Sequence, residues 1–200
     1  MSRVARRPAP PATDRRVRDL IVDAVDELVR SRGWSATTMS DVATAAGVSR
    51  QTVYNEFGSR PELVQAYVQR EIEALIGQVE TLVRSRADDA RGALHGAFGL
   101  FLELASDEPL VRVIVNDAEG DELVRLLTAT GLAVASDRLG ALIVEVWPQV
   151  CAADARLLAE SMARLAISHA LSPTVPATQA ADAVTRMVGP FVDEILGARR

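Results

Sequence analysis

The sequence contains no lysine, a single cysteine and few aromatic residues. All 22 basic residues are arginine, and Cys151 is the one thiol. One cysteine excludes an internal disulfide and a cysteine-based metal cluster. Aromatic residues make up 4% of the chain, whereas apolar residues in total make up 48%. The core must therefore consist largely of Leu, Val, Ile and Ala, a composition that favours packed helices.

Long apolar runs are also missing. The longest uncharged stretch, residues 165–181, contains His169, Pro173 and Pro176, whereas a helix that spans a bilayer needs about 20 continuous apolar residues. The arginine-rich N-terminus continues into prolines where a secretory leader has its apolar run. We therefore expect no membrane partner, no secretion and a cytoplasmic location.

Charge is distributed unevenly along the chain. Residues 1–70 carry 11 Arg against 8 acidic residues, a net charge of +3, and residues 71–200 carry 11 Arg against 19, a net charge of −8. A basic N-terminal third on an acidic body is consistent with a module that binds a polyanion. Chance explains the charge distribution alone equally well.

Apolar residues recur at three-to-four spacing through most of the chain, and alternation typical of strands is absent. The fold class is therefore predicted to be all-α. Residues 1–13 lack this periodicity and are predicted to form a disordered basic arm. The spacing and the end signals predict helices over 14–32, 38–47, 49–58, 59–86, 88–105, 109–116, 120–147, 152–171 and 178–196.

Residues 38–60 contain two of these short helices, joined by a tight turn. Gly47 supplies the unusual backbone angle that the turn needs, and Val42, Val53 and Phe57 are predicted to hold the two helices together. In this helix-turn-helix arrangement the second helix can enter the major groove of DNA. Its outward residues suit base edges and phosphate oxygens: they are Arg50, Gln51, Thr52, Tyr54, Asn55 and Glu56.

The first 70 residues resemble the N-terminal DNA-binding domain of the TetR family of bacterial transcriptional regulators. The resemblance rests on the amphipathic first helix and on five further elements: Gly33-Trp34, Thr38 before Val42-Ala43, Ala46-Gly47-Val48-Ser49, Tyr54 with Phe57, and Ser59-Arg60 with Leu63. It implies a three-helix DNA-binding domain at 14–60 and a helical effector-binding and dimerisation domain at 61–200.

The resemblance also implies a role for each matching residue. Arg50 and Gln51 occupy positions that read bases, and Asn55 a position that contacts base or backbone. The other matching positions in the family bind phosphate, or cap a helix end that lies next to a phosphate. Arg60 keeps the positive charge of the lysine that the family usually has there. Glu56 is less typical, and we expect it to be a solvated charge at the rim. The predicted DNA-binding residues are Thr38, Ser49, Arg50, Gln51, Thr52, Tyr54, Asn55 and Arg60.

In TetR-type regulators the last two long helices pair across a twofold axis, which implies a homodimer through helices 152–171 and 178–196. Such a dimer sets two recognition helices about 34–36 Å apart and predicts a palindromic DNA operator. One helix face carries mostly small residues: Ala159, Met162, Ala163, Ala166 and Ala170. This face suits either the interface or a core within one chain, and the two are not exclusive.

The helices between residues 88 and 147 are strongly apolar, which predicts a pocket for a small apolar effector such as a fatty acyl chain or a drug-like compound. Core packing explains each candidate lining residue equally well. The candidates are Phe98, Phe101, Leu102, Ile114, Asn116, Leu127 and Trp147. Residues 54–60, followed by residues 66–68, also resemble actinobacterial family members associated with alkane or lipid metabolism.

Enzymatic function is disfavoured, and no metal or cofactor is implied. His95 and His169 are far apart in the sequence, Cys151 has no neighbouring histidine, and the spacings of metalloproteases, serine hydrolases and P-loop proteins are absent. A helical lipid-binding protein without specific DNA binding is the alternative, but it gives no reason for the polar residues that cluster at 50–54. The sequence therefore predicts a ligand-responsive TetR-type regulator, a repressor that leaves its operator when the effector binds.

Overall fold

The computed structural model describes residues 12–107 and 131–197 of the chain. The predicted all-α class is confirmed, since these residues form eight helices and no strand. The helices are α1 (Ala12–Arg32), α2 (Met39–Ala45), α3 (Arg50–Phe57), α4 (Arg60–Ser85), α5 (Ala90–Asp107), α6 (Leu132–Val146), α7 (Ala152–Leu171) and α8 (Ala177–Ile195).

Most helix ends lie close to those predicted from the sequence. Helix α1 begins at Ala12, inside the predicted arm, and α8 continues past Pro190 to Ile195. The predicted helix 109–116 and residues 120–130 of the next predicted helix lie outside the described residues, as does most of the basic arm.

The chain divides into two compact units, and α4 contributes residues to both. The N-terminal unit ends at Tyr67 and the C-terminal unit begins at Val68. In the N-terminal unit α1 contacts α2, and α2 contacts α3. Fully buried side chains from three helices form its core, namely Ile21, Val25, Val53, Leu63 and Tyr67. The short helices are therefore stabilised by burial, because helices of seven or eight residues are marginal in isolation.

The C-terminal unit is built from most of α4 together with α5 to α8. Helix α6 packs along α7, and α5 packs against α8 and α7. Phe98 and Leu102 of α5 form one buried cluster with Ala181 and Val184 of α8. No helix in residues 12–107 and 131–197 is long and apolar enough to cross a membrane.

Candidate nucleic-acid interface and apolar cavity

The turn between α2 and α3 depends on a left-handed glycine. Gly47 has a φ of 66°, a conformation that costs side-chain-bearing residues energy and glycine very little. The backbone N–H of Val48 then donates to the carbonyl of Ala43 at 3.0 Å. The chain thus reverses within a few residues, and Ser49 begins α3 by accepting a hydrogen bond from the amide of Thr52.

Thr38 caps the start of α2 through a reciprocal capping box with Asp41. The Thr38 hydroxyl lies 2.5 Å from the Asp41 carboxylate, which also accepts the Thr38 N–H at 2.9 Å and pairs with Arg32 at 3.1 Å. The hydrogen bonds from the Thr38 hydroxyl and backbone N–H, together with Arg32, hold the pKa of Asp41 below its usual value. Thr38 itself is exposed, as a contact with DNA requires.

Helix α3 has one buried face and one polar face. Val53 and Phe57 are buried, as predicted, and Val42 of α2 is buried with them. We call the opposite side the polar face of α3. Its members are exposed or half-buried and are Ser49, Arg50, Gln51, Thr52, Tyr54 and Asn55.

Side chains of the polar face pair with one another along the helix. Arg50 Nη2 donates to the Tyr54 hydroxyl at 3.4 Å, and its guanidinium lies 5.5 Å from the centre of the Tyr54 ring. Gln51 Nε2 donates to Asn55 Oδ1 at 2.8 Å. These contacts join residues four apart, which are neighbours on one helix surface. The predicted base-reading side chains therefore lie in two neighbouring pairs, Arg50 with Tyr54 and Gln51 with Asn55.

Glu56 differs from the solvated rim charge expected from the sequence. It is half-buried, and its carboxylate lies 3.7 Å from Arg18 Nη1 of α1. The same nitrogen donates to the Glu56 carbonyl at 2.5 Å, and the Arg18 guanidinium covers the Phe57 ring at 4.3 Å. Sequence reasoning missed Arg18, because no local pattern links residues 38 positions apart.

Arg60 also lies differently from the phosphate-facing position expected for it. Its guanidinium is half-buried and stacks on the Trp34 ring at 4.3 Å. Nη2 donates to the Trp34 carbonyl at 2.9 Å, and Nε donates to the Thr37 carbonyl at 3.3 Å. Two of the guanidinium nitrogens thus bind the loop between α1 and α2.

The C-terminal unit contains an apolar cavity of about 180 Å³. Helices α4 to α8 all contribute to its wall, and every lining residue among those described is apolar or glycine. Representative lining residues are Ile76 and Val79 of α4, Phe98 of α5, Leu142 of α6 and Met162 of α7. Such a cavity suits an apolar guest, because the described part of its wall offers almost nothing to replace the hydrogen bonds that a polar group makes in water.

The predicted ligand residues divide into three groups. Phe98, Phe101 and Trp147 line the cavity. Leu102 is buried in the neighbouring cluster instead. Ile114, Asn116 and Leu127 lie outside the described residues. Sequence reasoning overlooked the share of α4, α7 and α8 in the wall, although the apolar periodicity of α4 was visible.

The small residues of α7 belong to the core of their own chain. Ala159, Ala163 and Ala166 are buried, and with Met162 and Ala170 they line the cavity. The three buried alanines are therefore inside the unit, whereas Met162 and Ala170 are half-buried. The exposed large apolar side chains of α7 and α8 are instead Leu157, 56% exposed, and Met187, 63% exposed.

His95 and Cys151 of the C-terminal unit both have structural partners. His95 lies 2.9 Å from Asp182, joining α5 to α8. The Cys151 thiol caps α7, accepting from the Asp154 amide at 3.4 Å. Within the described ranges, no three His, Cys, Asp or Glu side chains come close enough to hold a metal ion.

A helix-turn-helix that exposes the polar face of α3 is the arrangement of a DNA-binding protein. Comparison with known protein families identifies which family this is. Residues 21–67 match the model of bacterial regulatory proteins of the tetR family, and residues 89–190 match the C-terminal domain of bacterial tetracyclin repressors. The chain therefore belongs to the TetR family, as the sequence analysis predicted. It is a DNA-binding transcriptional regulator and not an enzyme.

Individual relatives share both sequence and fold with this chain. The HTH-type transcriptional regulator AlkX of Mycobacterium tuberculosis is 33% identical over 95% of this chain and 92% of its own length. The TetR family repressor AlkX of a Dietzia strain, implicated in biodegradation of n-alkanes, is 35% identical in its crystal structure. That match has a TM-score of 0.78 and covers 90% of this chain and 96% of that one.

A more distant likeness extends to the fold alone. Thermus thermophilus FadR, a TetR family repressor solved in complex with lauroyl-CoA, is 19% identical with a TM-score of 0.58. The match covers 86% of this chain and 92% of that chain.

Proposed function

We propose that this protein is a repressor that binds a palindromic operator as a homodimer and leaves it when a small apolar effector enters the cavity. The observation that carries the DNA-binding part is the polar face of α3, which is accessible while Val53 and Phe57 bury the other side of the helix. The relative AlkX of Dietzia, a repressor of the same family, supports the repressor assignment.

The polar face of α3 would read the operator in the major groove. Arg50 has the planar fork that pairs with both acceptors of guanine, and Gln51 suits adenine. Both side chains are exposed, and their present partners are Tyr54 and Asn55 on the same helix. These partners are given up at little cost, because exposed side-chain pairs contribute only a few tenths of a kcal/mol each.

Hydroxyl groups around α3 would hold the phosphate backbone. Ser49, Thr52 and Tyr54 lie on the polar face, and Thr38 lies at the exposed start of α2. The Thr38 hydroxyl hydrogen can turn from Asp41 towards a phosphate oxygen, since Asp41 keeps the Thr38 N–H and Arg32 as partners. Such contacts fix the register of the protein on the duplex, whereas sequence is read at the base edges.

The effector is proposed to be a molecule with a hydrocarbon chain. The cavity wall offers apolar side chains from five helices, so an alkyl chain would lose unfavourable contact with water at no hydrogen-bonding cost. The link of Dietzia AlkX to n-alkane degradation and the lauroyl-CoA bound to FadR fit this class of ligand. A charged head group would have to lie outside the described wall.

The dimer is proposed to form through α7 and α8. Because the alanines of α7 are buried within the chain, the interface would use the outward faces that carry Leu157 and Met187. Two chains related by a twofold axis would place two copies of α3 in successive major grooves, about 34–36 Å apart.

Release would follow from linkage between the two sites. An effector can weaken operator binding only by the difference between its affinities for the DNA-binding and the released conformations.

A regulator of this kind acts on DNA, so we expect it to work in the cytoplasm.

The test begins with the selection of duplexes by the purified protein from a random-sequence pool, followed by binding assays at a fixed salt concentration. We expect a palindromic site bound by two chains, a dimer in analytical ultracentrifugation, and release by lauric acid, lauroyl-CoA or dodecane. Equal affinity for selected and scrambled duplexes would contradict operator binding. Tight effector binding without any change in operator affinity would contradict release by effector.

A further inference from the structure

We propose that Arg60 governs DNA binding as a positioning residue, by fixing the loop that presents Thr38, and not by contacting phosphate itself. The proposal rests on the operator binding proposed above and names a further residue on which it depends. It replaces the phosphate contact expected from the position of Arg60 at the start of α4.

The first support is the orientation of the guanidinium. It stacks on Trp34, which is itself buried, and two of its nitrogens donate to the carbonyls of Trp34 and Thr37. A guanidinium held by a ring face and two carbonyls is fixed in both plane and direction. Turning the whole guanidinium towards a phosphate would require giving up these three contacts together.

The second support is the position of the two carbonyls that accept hydrogen bonds from Arg60. Trp34 and Thr37 lie within the loop between α1 and α2, and the N–H of Thr37 donates to the carbonyl of Trp34 at 2.9 Å. Thr37 is 1% exposed and its hydroxyl donates to the carbonyl of Gly33 at 2.8 Å. The residue that follows Thr37 is Thr38. Arg60 therefore holds the backbone directly before the residue that is proposed to contact phosphate.

Lysine cannot reproduce this arrangement, which gives the proposal a sharp test. Its ammonium is a point charge without a planar fork, so it cannot stack on Trp34 and bind both carbonyls at once. Arg60→Lys therefore preserves the charge that a phosphate contact would use and removes the geometry that positioning would use. Arg60→Gln removes the charge as well.

The experiment measures the affinity of the full-length variants for the duplex selected by the wild-type protein, over a range of salt concentrations. We expect Arg60→Lys and Arg60→Gln to weaken binding by similar factors, about tenfold, the effect of roughly 1.4 kcal/mol. The slope of log affinity against log salt should stay unchanged in both variants, because neither substitution removes a cation that neutralises a phosphate. Arg30→Lys, an exchange at an exposed arginine of α1, is the matched control and should bind like wild type.

A double-mutant cycle with Thr38→Val separates positioning from general loss of stability. If Arg60 acts through Thr38, Arg60→Lys should cost less than about threefold once the Thr38 hydroxyl is absent, since coupled residues are non-additive. Melting curves and the fraction of active protein by stoichiometric titration confirm that each variant is folded at the assay temperature.

Three outcomes would overturn the role proposed for Arg60. The first is wild-type affinity of Arg60→Lys together with a slope that is smaller in magnitude by about 0.9 in Arg60→Gln, the behaviour of a direct phosphate contact. The second is wild-type affinity of both variants, and the third is full additivity with Thr38→Val. Failure of the wild-type protein to select any duplex is a different result, since it contradicts the proposed function itself.

Discussion

The N-terminal unit presents polar side chains at its surface, whereas the C-terminal unit encloses apolar space. In the first, Val53 and Phe57 are tightly buried and the opposite face of α3 carries donors and acceptors. In the second, side chains of five helices leave a cavity of about 180 Å³. Under the proposed function, DNA would be selected by the arrangement of hydrogen-bonding groups in one unit, and the effector by the shape and polarity of the cavity in the other.

If recognition of DNA belongs to the N-terminal unit, Arg50→Ala should produce the largest effect on operator binding. We expect a loss of about 1–3 kcal/mol and relaxed preference at one base pair of each half-site. Competition between the selected duplex and single-base variants measures both. Arg30→Ala, which removes an exposed arginine of α1, is the control. Unchanged base preference in Arg50→Ala would show that another residue reads the sequence.

The role of the C-terminal unit in effector binding is tested by filling its cavity. Ala97 lines it, and Ala97→Phe should lower the affinity for lauric acid by about tenfold or more, since overfilling an apolar site costs roughly 1–3 kcal/mol. Operator affinity without effector should stay at the wild-type value. Isothermal titration and fluorescence anisotropy measure the two quantities.

Ala133→Phe places the same ring at an exposed position of α6 and serves as the control. Equal weakening of lauric acid binding by both substitutions would mean that the ligand lies elsewhere.

Within the N-terminal unit, Tyr54→Phe distinguishes phosphate contacts from base contacts. Loss of one neutral hydrogen bond should weaken binding by about 0.5–1.5 kcal/mol, to the selected and scrambled duplexes alike. Filter binding at several salt concentrations should give the wild-type slope, because no charge is removed. A loss confined to the selected duplex would instead assign Tyr54 to base reading.

The smallest effect concerns the capping box of α2. Because the pKa of Asp41 is lowered in the folded protein, its carboxylate contributes stability above the unfolded pKa, and this contribution is lost as the pH falls through the folded value. Asp41→Asn should therefore unfold at lower urea than wild type at neutral pH, and the difference should shrink below the usual aspartate value of 3.8. A difference independent of pH would assign the effect to packing.

The sequence predicted the local features of this molecule well, because they are written in short-range patterns. Gly47 ends a helix in the left-handed region and Ser49 begins the next, and both follow from the chemistry of those residues alone. The buried and polar faces of α3 likewise follow from helical spacing.

The surroundings of Glu56 and Arg60 could not be predicted in the same way. Each depends on a partner more than 20 residues away, Arg18 in one case and Trp34 in the other. The same limit applies to the alanines of α7, since spacing shows that they share a face but not which surface covers it. Only the tertiary packing turns them towards the cavity.

Each unit contains one of the two tryptophans of the chain. The intrinsic fluorescence of Trp34 can therefore report operator binding, and that of Trp147 can report effector binding. Trp34 lies under the guanidinium of Arg60 in the loop that presents Thr38, so its emission should respond when DNA binds beside this loop. Trp147 lines the cavity wall, and its indole N–H donates to the carbonyl of Ala87 at 2.8 Å, so a guest should shift its spectrum. Replacing either indole with phenylalanine would leave a single fluorophore, and the order in which effector arrives and operator departs could then be timed without any attached dye.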